Sequence, residues 1–561
     1  MNPAPPLTSR LEGRPYWWQT RRFVAVMALL AIVPLLRPVI PPLVDLPGHM
    51  GRYRVQLSIA DQPWLANWYD FHWQLIGNLG LDLAVIPMAK LFGLELGVKL
   101  IVMAIPALIV TGLLWIAREV HGRIPATALF ALPLAYSYPF QFGFVNFMLS
   151  VALALNLFAW WLRLARQGRL GFRAALFVPL SCALWVCHTV GWGMLAVFAF
   201  SAEMIRQHDR LFGVATPGTR VPWRLGDLRR WGIAWIRAGI GVVPLALPLA
   251  LMALWRSGEH VGGQTFDWFN WQAKFQWLLM VLRDRWMAFD VASTAVLMLI
   301  LFRGFRDPAI EYSRQLGLAA LFLLAVFLLL PRVVFGSAYA DMRLAPFAIA
   351  IAVIAIRPRR GLSFRGASTL AVAGLVFVVV RMGATTVSYW MFADSYSRQL
   401  AALDHLPPGA RLVSFVGETC HNQWTMSRLE HLPAIALERR LAYTNDQWSM
   451  AGAQLLTTRY RAAQRYAHDP SQIVTSVQCP REYWRPISRS LARFPRDAFD
   501  YVWLIRVPSY DPALEQGLVP VWRSGEPGAT GSSALLKVDH AIPPPAMPDN
   551  IRPPARIIPR A

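Results

Sequence analysis

A polytopic α-helical membrane protein with a C-terminal α/β domain is the fold class that three observations predict. The 561-residue chain is 55% hydrophobic, and its apolar residues come in long blocks. Its basic residues cluster in the short stretches between those blocks, and after about residue 390 the apolar segments shrink from helix length to strand length. A mean hydropathy of +0.38 agrees with a lipid-embedded chain. The net charge of +23, from 55 Lys+Arg against 32 Asp+Glu, would point to nucleic acid if stacking aromatics were interleaved with the basic residues on a soluble face. They are not arranged so; the clusters instead follow the bias that keeps positive loops inside.

That bias orients the elements. Arg10, Arg14, Arg21 and Arg22 place residues 1–22 in the cytoplasm and the loop 44–96 outside, with a first span at about 23–43. No small-residue cleavage site follows that span, so it reads as an uncleaved anchor. Cytoplasmic stretches are expected at Arg118 to Arg123, at Arg163 to Arg173 and at Arg206 to Arg230. Segment 71–92 carries Asp82 and Pro87, and its apolar stretch is short of the roughly 20 residues a crossing needs. It reads as an interfacial helix, with the neighbouring Trp64, Trp68 and Trp73 suited to a headgroup belt. Further spans are expected at about 97–117, 124–140, 143–162, 174–188, 190–205, 232–255, 287–302, 316–331, 344–357 and 367–387, about eleven in all. The hairpin 174–188/190–205 looks too short to cross fully, which would bring His188 toward the outer face. Residues 256–286 read as a Trp-rich outer loop, with Lys274, Arg283 and Arg285 on a solvated face.

An odd number of spans puts residues 391–540 outside as an α/β domain. Strands are expected at 411–416, 501–507, 518–522 and 534–538, with a helix-like stretch at 449–467. A Pro-rich tail occupies 541–561. Of the 4 Cys, Cys182 and Cys187 sit in one apolar span, where a small apolar filler is the simpler reading. Cys420 and Cys479 fall in the outer domain, where an oxidising compartment permits a disulfide.

Chemistry is expected just past the first span, at Val44-Asp45-Leu46-Pro47-Gly48-His49-Met50-Gly51-Arg52. An acid, an imidazole and a guanidinium lie within about two helical turns of one another. Ionisable groups are costly at a membrane surface and usually functional. The competing reading makes Asp45 a helix cap, with Pro47 in the first turn.

The order of elements over 1–205 resembles the GT-C superfamily of membrane glycosyltransferases. It comprises one span, an outer loop opening on an acid, an interfacial helix, and Arg118-Glu119-Val120-His121-Gly122-Arg123 between spans. The run Tyr136-Ser137-Tyr138-Pro139 through Asn146-Phe147, and the span ending Trp160-Trp161-Leu162-Arg163, are similar to bacterial members of the group. The resemblance implies a bacterial inner-membrane enzyme that transfers a hexosyl or pentosyl unit with inversion. Its donor would be a polyprenyl-phosphate sugar lipid and its acceptor an extracytoplasmic glycan, lipid or protein. Asp45 takes the place of the first-loop acid that acts on the acceptor hydroxyl, in some members with a divalent metal such as Mg or Mn. His49 would bind that metal, orient Asp45 or simply pack. Arg52 and Arg54 would grip the lipid phosphate, since guanidinium forks match phosphate oxygens, or snorkel to headgroups. Arg343, on the outer face by parity, would be a further phosphate ligand with Asp341 and His188 in support, or form with Asp341 an anchor pair in the interface. Asp61 and Asp70 are the next loop acids. A polysaccharide polymerase or ligase, or a non-enzymatic transport or assembly protein for lipid-linked glycans, are the competing functions.

Overall fold

The computed structural model describes residues 15–213, 227–256, 264–334, 336–358, 364–420, 423–449, 454–480 and 484–545. The beginning of the cytoplasmic stretch 1–22, the basic residues Arg220 and Arg224, part of the 256–286 loop and the tail from 546 lie outside the described residues.

Helices α1 (Arg21–Leu30), α2 (Leu46–Ser58), α3 (Gly80–Phe92), α4 (Leu94–His121), α5 (Tyr138–Phe142), α6 (Val145–Arg166), α7 (Leu170–Cys187) and α8 (Thr189–Leu211) come first. They are followed by α9 (Leu228–Val242), α10 (Leu247–Arg256), α11 (Trp271–Leu279), α12 (Met287–Arg306), α13 (Arg314–Leu329), α14 (Ala345–Ala355) and α15 (Phe364–Leu400). Among the described residues, five helices are long and apolar enough to cross a membrane, or six if α9 and α10, bent by 67°, form one broken span. The chain is thus a polytopic helical membrane protein, and among the described residues the eleven expected spans are not all straight helices.

Two of the expected spans are broken by proline, which donates no backbone N–H and clashes with the preceding turn. Over 23–43, α1 stops at Leu30 and gives way to a 3-10 turn at Val33–Leu35, among Pro34, Pro38, Pro41 and Pro42. Over 124–140 the chain forms a 3-10 helix at Ala126–Tyr136 holding Pro133, then the short α5. The hairpin α7–α8 runs the other way. Its arms have 18 and 23 residues, so the short hairpin expected there is corrected. Helix α3 has 13 residues, about 20 Å, which falls short of a hydrocarbon core of roughly 30 Å.

Helix α15 runs on through residue 390 to Leu400. Beyond it lie β4 (Leu412–Gly417), β5 (Leu456–Thr458), β6 (Ile473–Thr475), β7 (Arg485–Pro486), β8 (Tyr501–Val507), β9 (Leu518–Ser524) and β10 (Ser532–Val538), after three short strands β1 (Tyr69–Phe71), β2 (Ile310–Tyr312) and β3 (Ile356–Pro358). Six of them form one sheet in the order β7-β6-β4-β8-β10-β9, parallel from β7 to β8 and antiparallel from β8 to β9. The alternation along β4 buries both faces. Leu412 and Val416 pack with Leu400 and Leu403 at the end of α15, whereas Val413 and Phe415 share a core with Trp68 and Tyr69 of the first loop. The helix-like stretch 449–467 is corrected where it is described: β5 and a 3-10 turn at Arg461–Tyr466 occupy it. Cys420 and Cys479 are disulfide-bonded, with Cα atoms 5.1 Å apart.

The first loop and the C-terminal region interlock. β1 pairs antiparallel with β5, and α2 packs on α16 (Ala434–Arg440) so closely that a Cβ on Gly51 would lie 3.0 Å from that of Ala434. A loop from Gln423 onward wedges into the helical part. Its Arg428, 1% exposed, donates to Asp284 at 2.8 Å, to Gln141 at 2.7 Å and to the Pro42 carbonyl. The Trp424 indole donates to Asp290 at 2.7 Å. Arg283, 8% exposed, donates to the carbonyls of Gln423 and Trp424, and Lys274, 2% exposed, reaches Asp341. Neither of these cations lies on a solvated face, as the sequence had suggested.

Candidate functional site

Asp45 ends the proline-rich entry segment and opens α2. Its backbone N–H donates to the Phe142 carbonyl at 2.9 Å, and Val44 donates to Gln141. This close crossing needs the glycine that ends α5. Gly143 has φ +98°, and a Cβ there would lie 2.8 Å from the Asp45 nitrogen. Asp45 occupies the N-cap position of α2, yet its side chain accepts no capping hydrogen bond. The cap reading of Asp45 is therefore set aside. Among the described residues its carboxylate has no ion-pair partner within 4 Å.

Charges converge on this half-buried carboxyl from distant parts of the chain. Burial, with Asp469 as a like charge, holds Asp45 well above the usual carboxylate range, while Arg343 pulls the other way. Glu430 is raised likewise, by burial and by Glu418, Asp469 and Asp45. Arg343 projects from the turn before α14. Its guanidinium lies 4.4 Å from the Phe144 ring and 5.9 Å from the Phe147 ring. It donates to Ser337 at 3.3 Å, and its Nε is buried without a hydrogen-bond partner. His188, edge-on to Phe147 at 5.6 Å, accepts from the Val190 N–H through Nδ1, and feels the charge of Arg343. Asp341 is fully buried against Lys274 at 3.1 Å and accepts from the Met342 N–H, which fixes the turn carrying Arg343.

The structure therefore brings Asp45, Arg343 and His188 together and separates the other candidates. Arg52, proposed as a phosphate ligand, is 1% exposed and pairs with Asp82 at 2.9 Å, and Asp82 also accepts from Asn146. Arg54 is likewise engaged, bonding the Glu438 carboxylate at 2.7 Å and its carbonyl at 2.8 Å. The partner acid of each lies elsewhere in the chain, and spacing along α2 could not reveal it. His49 neither caps nor touches the Asp45 carboxylate. It packs on Trp448 at 5.0 Å, with His431 on the same indole at 4.4 Å, and burial beside Arg52 holds it well below its ordinary value. Neutral imidazole there is a packing and shaping group. Among the described residues no group of three or more His, Cys, Asp or Glu side chains is placed to hold a metal ion.

Sequence reasoning missed Glu430, His431, Trp448 and Asp469, all supplied by the C-terminal region. His468-Asp469-Pro470 and Glu430-His431-Leu432-Pro433 are polar residues beside proline, a pattern shared with ordinary turns. Only their docking against α2 distinguishes them.

The site couples a proton-accepting carboxyl with a cation whose guanidinium has no acidic partner within 4 Å among the described residues. No family model matches the chain, and no curated protein matches it. Among solved structures, it is similar to that of ArnT from Cupriavidus metallidurans bound to undecaprenyl phosphate, at 13% identity and a TM-score of 0.45. The match covers 92% of this chain and 97% of that one. A likeness of that degree decides neither the fold nor the activity.

Proposed function

We propose that this protein is a GT-C-type membrane glycosyltransferase that moves a sugar from a polyprenyl-phosphate donor to an extracytoplasmic acceptor with inversion. The observation that carries the reading is the juxtaposition of Asp45, uncapped and basic, with Arg343, whose guanidinium has no acidic partner within 4 Å among the described residues, at the head of the first loop of a polytopic membrane protein. In this scheme the acceptor hydroxyl gives its proton to Asp45 as its oxygen attacks the anomeric carbon. The bond from that carbon to the phosphate oxygen breaks on the opposite face, and the lipid phosphate leaves as an anion beside Arg343. Asp341 and Lys274 hold the turn that aims Arg343, and His188 and Phe147 wall its other side. Inner-membrane location, with the N-terminus cytoplasmic and the C-terminal α/β region outside, belongs to the same proposal.

The test is sugar transfer by the purified protein in lipid nanodiscs, supplied with polyprenyl-phosphate sugars. Arg343→Met should raise the KM for the donor by about tenfold or more, the equivalent of one charge-assisted hydrogen bond, with a smaller change in kcat. Donor binding without any transfer would favour a transport or assembly role instead. An unchanged donor KM in Arg343→Met would remove this residue from the phosphate site.

A further inference from the structure

A patch of exposed aromatic rings leads into α11. Trp268, Phe269, Trp271 and Phe275 are between 48% and 63% exposed. Phe269 touches both neighbours, its ring centroid 6.4 Å from that of Trp268 and 5.9 Å from that of Trp271, and Phe275 follows Trp271 by one helical turn. Rings gathered in this way at a surface mark a contact. The other exposed residues of α11 are Gln272 and Gln276, so its outward face carries no charge. The backbone is bent to present the rings. Asp267 and Phe269 have φ +64° and +54°, a left-handed conformation that strains a bulky residue and persists only where the surroundings hold it. Here they do: Asp267 accepts from Asn270, which caps α11 through the Ala273 N–H at 3.0 Å, and faces Arg332 at 3.5 Å.

The inward face of α11 holds the turn that carries Arg343. The Lys274 ammonium uses all three of its donors, on the Phe327 carbonyl at 2.7 Å, the Leu330 carbonyl at 2.9 Å and Asp341 at 3.1 Å. Trp277 meets Tyr339 edge-on at 5.7 Å, and Tyr339 packs at 5.4 Å on Phe142, whose carbonyl accepts from the Asp45 N–H. What covers the outward face follows from the next element. After the short link 280–286 the chain enters α12, one of the helices long and apolar enough to cross a membrane, so α11 lies at the level where a span enters the bilayer. Uncharged Trp and Phe beside Gln suit the boundary between headgroups and acyl chains.

We propose that these four rings insert into the leaflet on the Asp45 side, at the boundary of its headgroups and acyl chains, and that α11 thereby sets the height of Arg343 against the lipid phosphates. An aromatic face of this kind sinks roughly 5–10 Å into the boundary. Lys274 passes that position to Asp341, two residues before Arg343. A polyprenyl phosphate is held in the same plane by its own tail, so guanidinium and phosphate meet at one depth. The membrane contact requires no activity, whereas its use at Arg343 rests on the transferase reading.

Spin labelling of the full chain in phosphatidylcholine nanodiscs tests it, with Cys182 and Cys187 replaced and the Cys420–Cys479 disulfide kept. Labels on Trp271→Cys and Phe275→Cys should collide with oxygen and be shielded from a water-soluble nickel chelate, at roughly 5–10 Å below the phosphates. A label on Glu526→Cys, exposed in the C-terminal region, should meet the chelate freely. Access of the chelate to positions 271 and 275 overturns the proposal. So does shielding from both reagents, which would mean that a protein surface, such as a second copy of the chain, covers the patch. The combined variant Trp268→Ser, Trp271→Ser, Phe275→Ser should lower kcat/KM for a long-chain polyprenyl donor in nanodiscs by roughly 10- to 100-fold, as lost positioning does. It should leave kcat/KM for a short-chain donor in detergent unchanged, since no leaflet then fixes the phosphate. An equal effect on both donors, or on neither, overturns the role at Arg343. A parent chain inactive with every donor, but with labels at the expected depth, overturns the transferase reading and leaves the membrane contact standing.

Discussion

Asp45→Asn separates chemistry from architecture at this site. Asparagine keeps the size and shape of the side chain and removes its capacity to take a proton. Because the Asp45 carboxylate makes no capping bond and no ion pair within 4 Å, the exchange forfeits no described hydrogen bond. It also relieves the repulsion from Asp469, at the loss of attraction to Arg343. A carboxyl whose folded pKa is raised is destabilising once the pH exceeds its unfolded value, and increasingly so until the folded value is passed. The Asn variant should therefore match the parent near pH 4 and unfold at the same or a slightly higher temperature at neutral pH, within about 0.5 kcal/mol of an ordinary surface exchange. Catalysis should fall by about 10²- to 10⁴-fold, or about 3–5 kcal/mol of barrier, the range of a lost general base. Initial rates of transfer from a polyprenyl-phosphate sugar in nanodiscs, with melting curves on the same samples, measure both. Near-normal turnover in a folded Asn variant would refute the general-base assignment.

The rate of the parent enzyme should climb with pH along a limb whose apparent pKa lies above the ordinary aspartate range, because burial and Asp469 favour the protonated form; a profile flat down to pH 4 would contradict this. Arg428→Met should destabilise the protein by about 3–5 kcal/mol, since it leaves Asp284 buried without its cation at the seam between the helical and C-terminal parts, and a melting temperature equal to that of the parent would show the seam to be held elsewhere. With Cys182 and Cys187 replaced, a membrane-impermeant maleimide added to intact cells should label a cysteine at the exposed Glu526 and spare one at Gln167; the reverse pattern would invert the proposed orientation.

Much of the layout was legible in the chain itself. Apolar length and charge clustering announced membrane helices, and the alternating apolar residues of 411–416, 501–507 and 534–538 announced strands that the sheet contains, because periodicity and burial are properties of neighbouring residues. The unusual placement of Asp45 was also readable, as an acid set where acids are costly. Proline made turns of the segments 23–43 and 124–140, a local effect that hydropathy alone misses. Two things were decided only by tertiary structure. Partner choice engaged Arg52 and Arg54 with Asp82 and Glu438 across the fold, and left Arg343 without an acid within 4 Å among the described residues. Finally, Asp45 owes its raised basicity to burial and to Asp469, which comes from the other end of the chain. A charge acts through distance in space, and distance along the sequence carries no trace of it until the C-terminal region docks on α2.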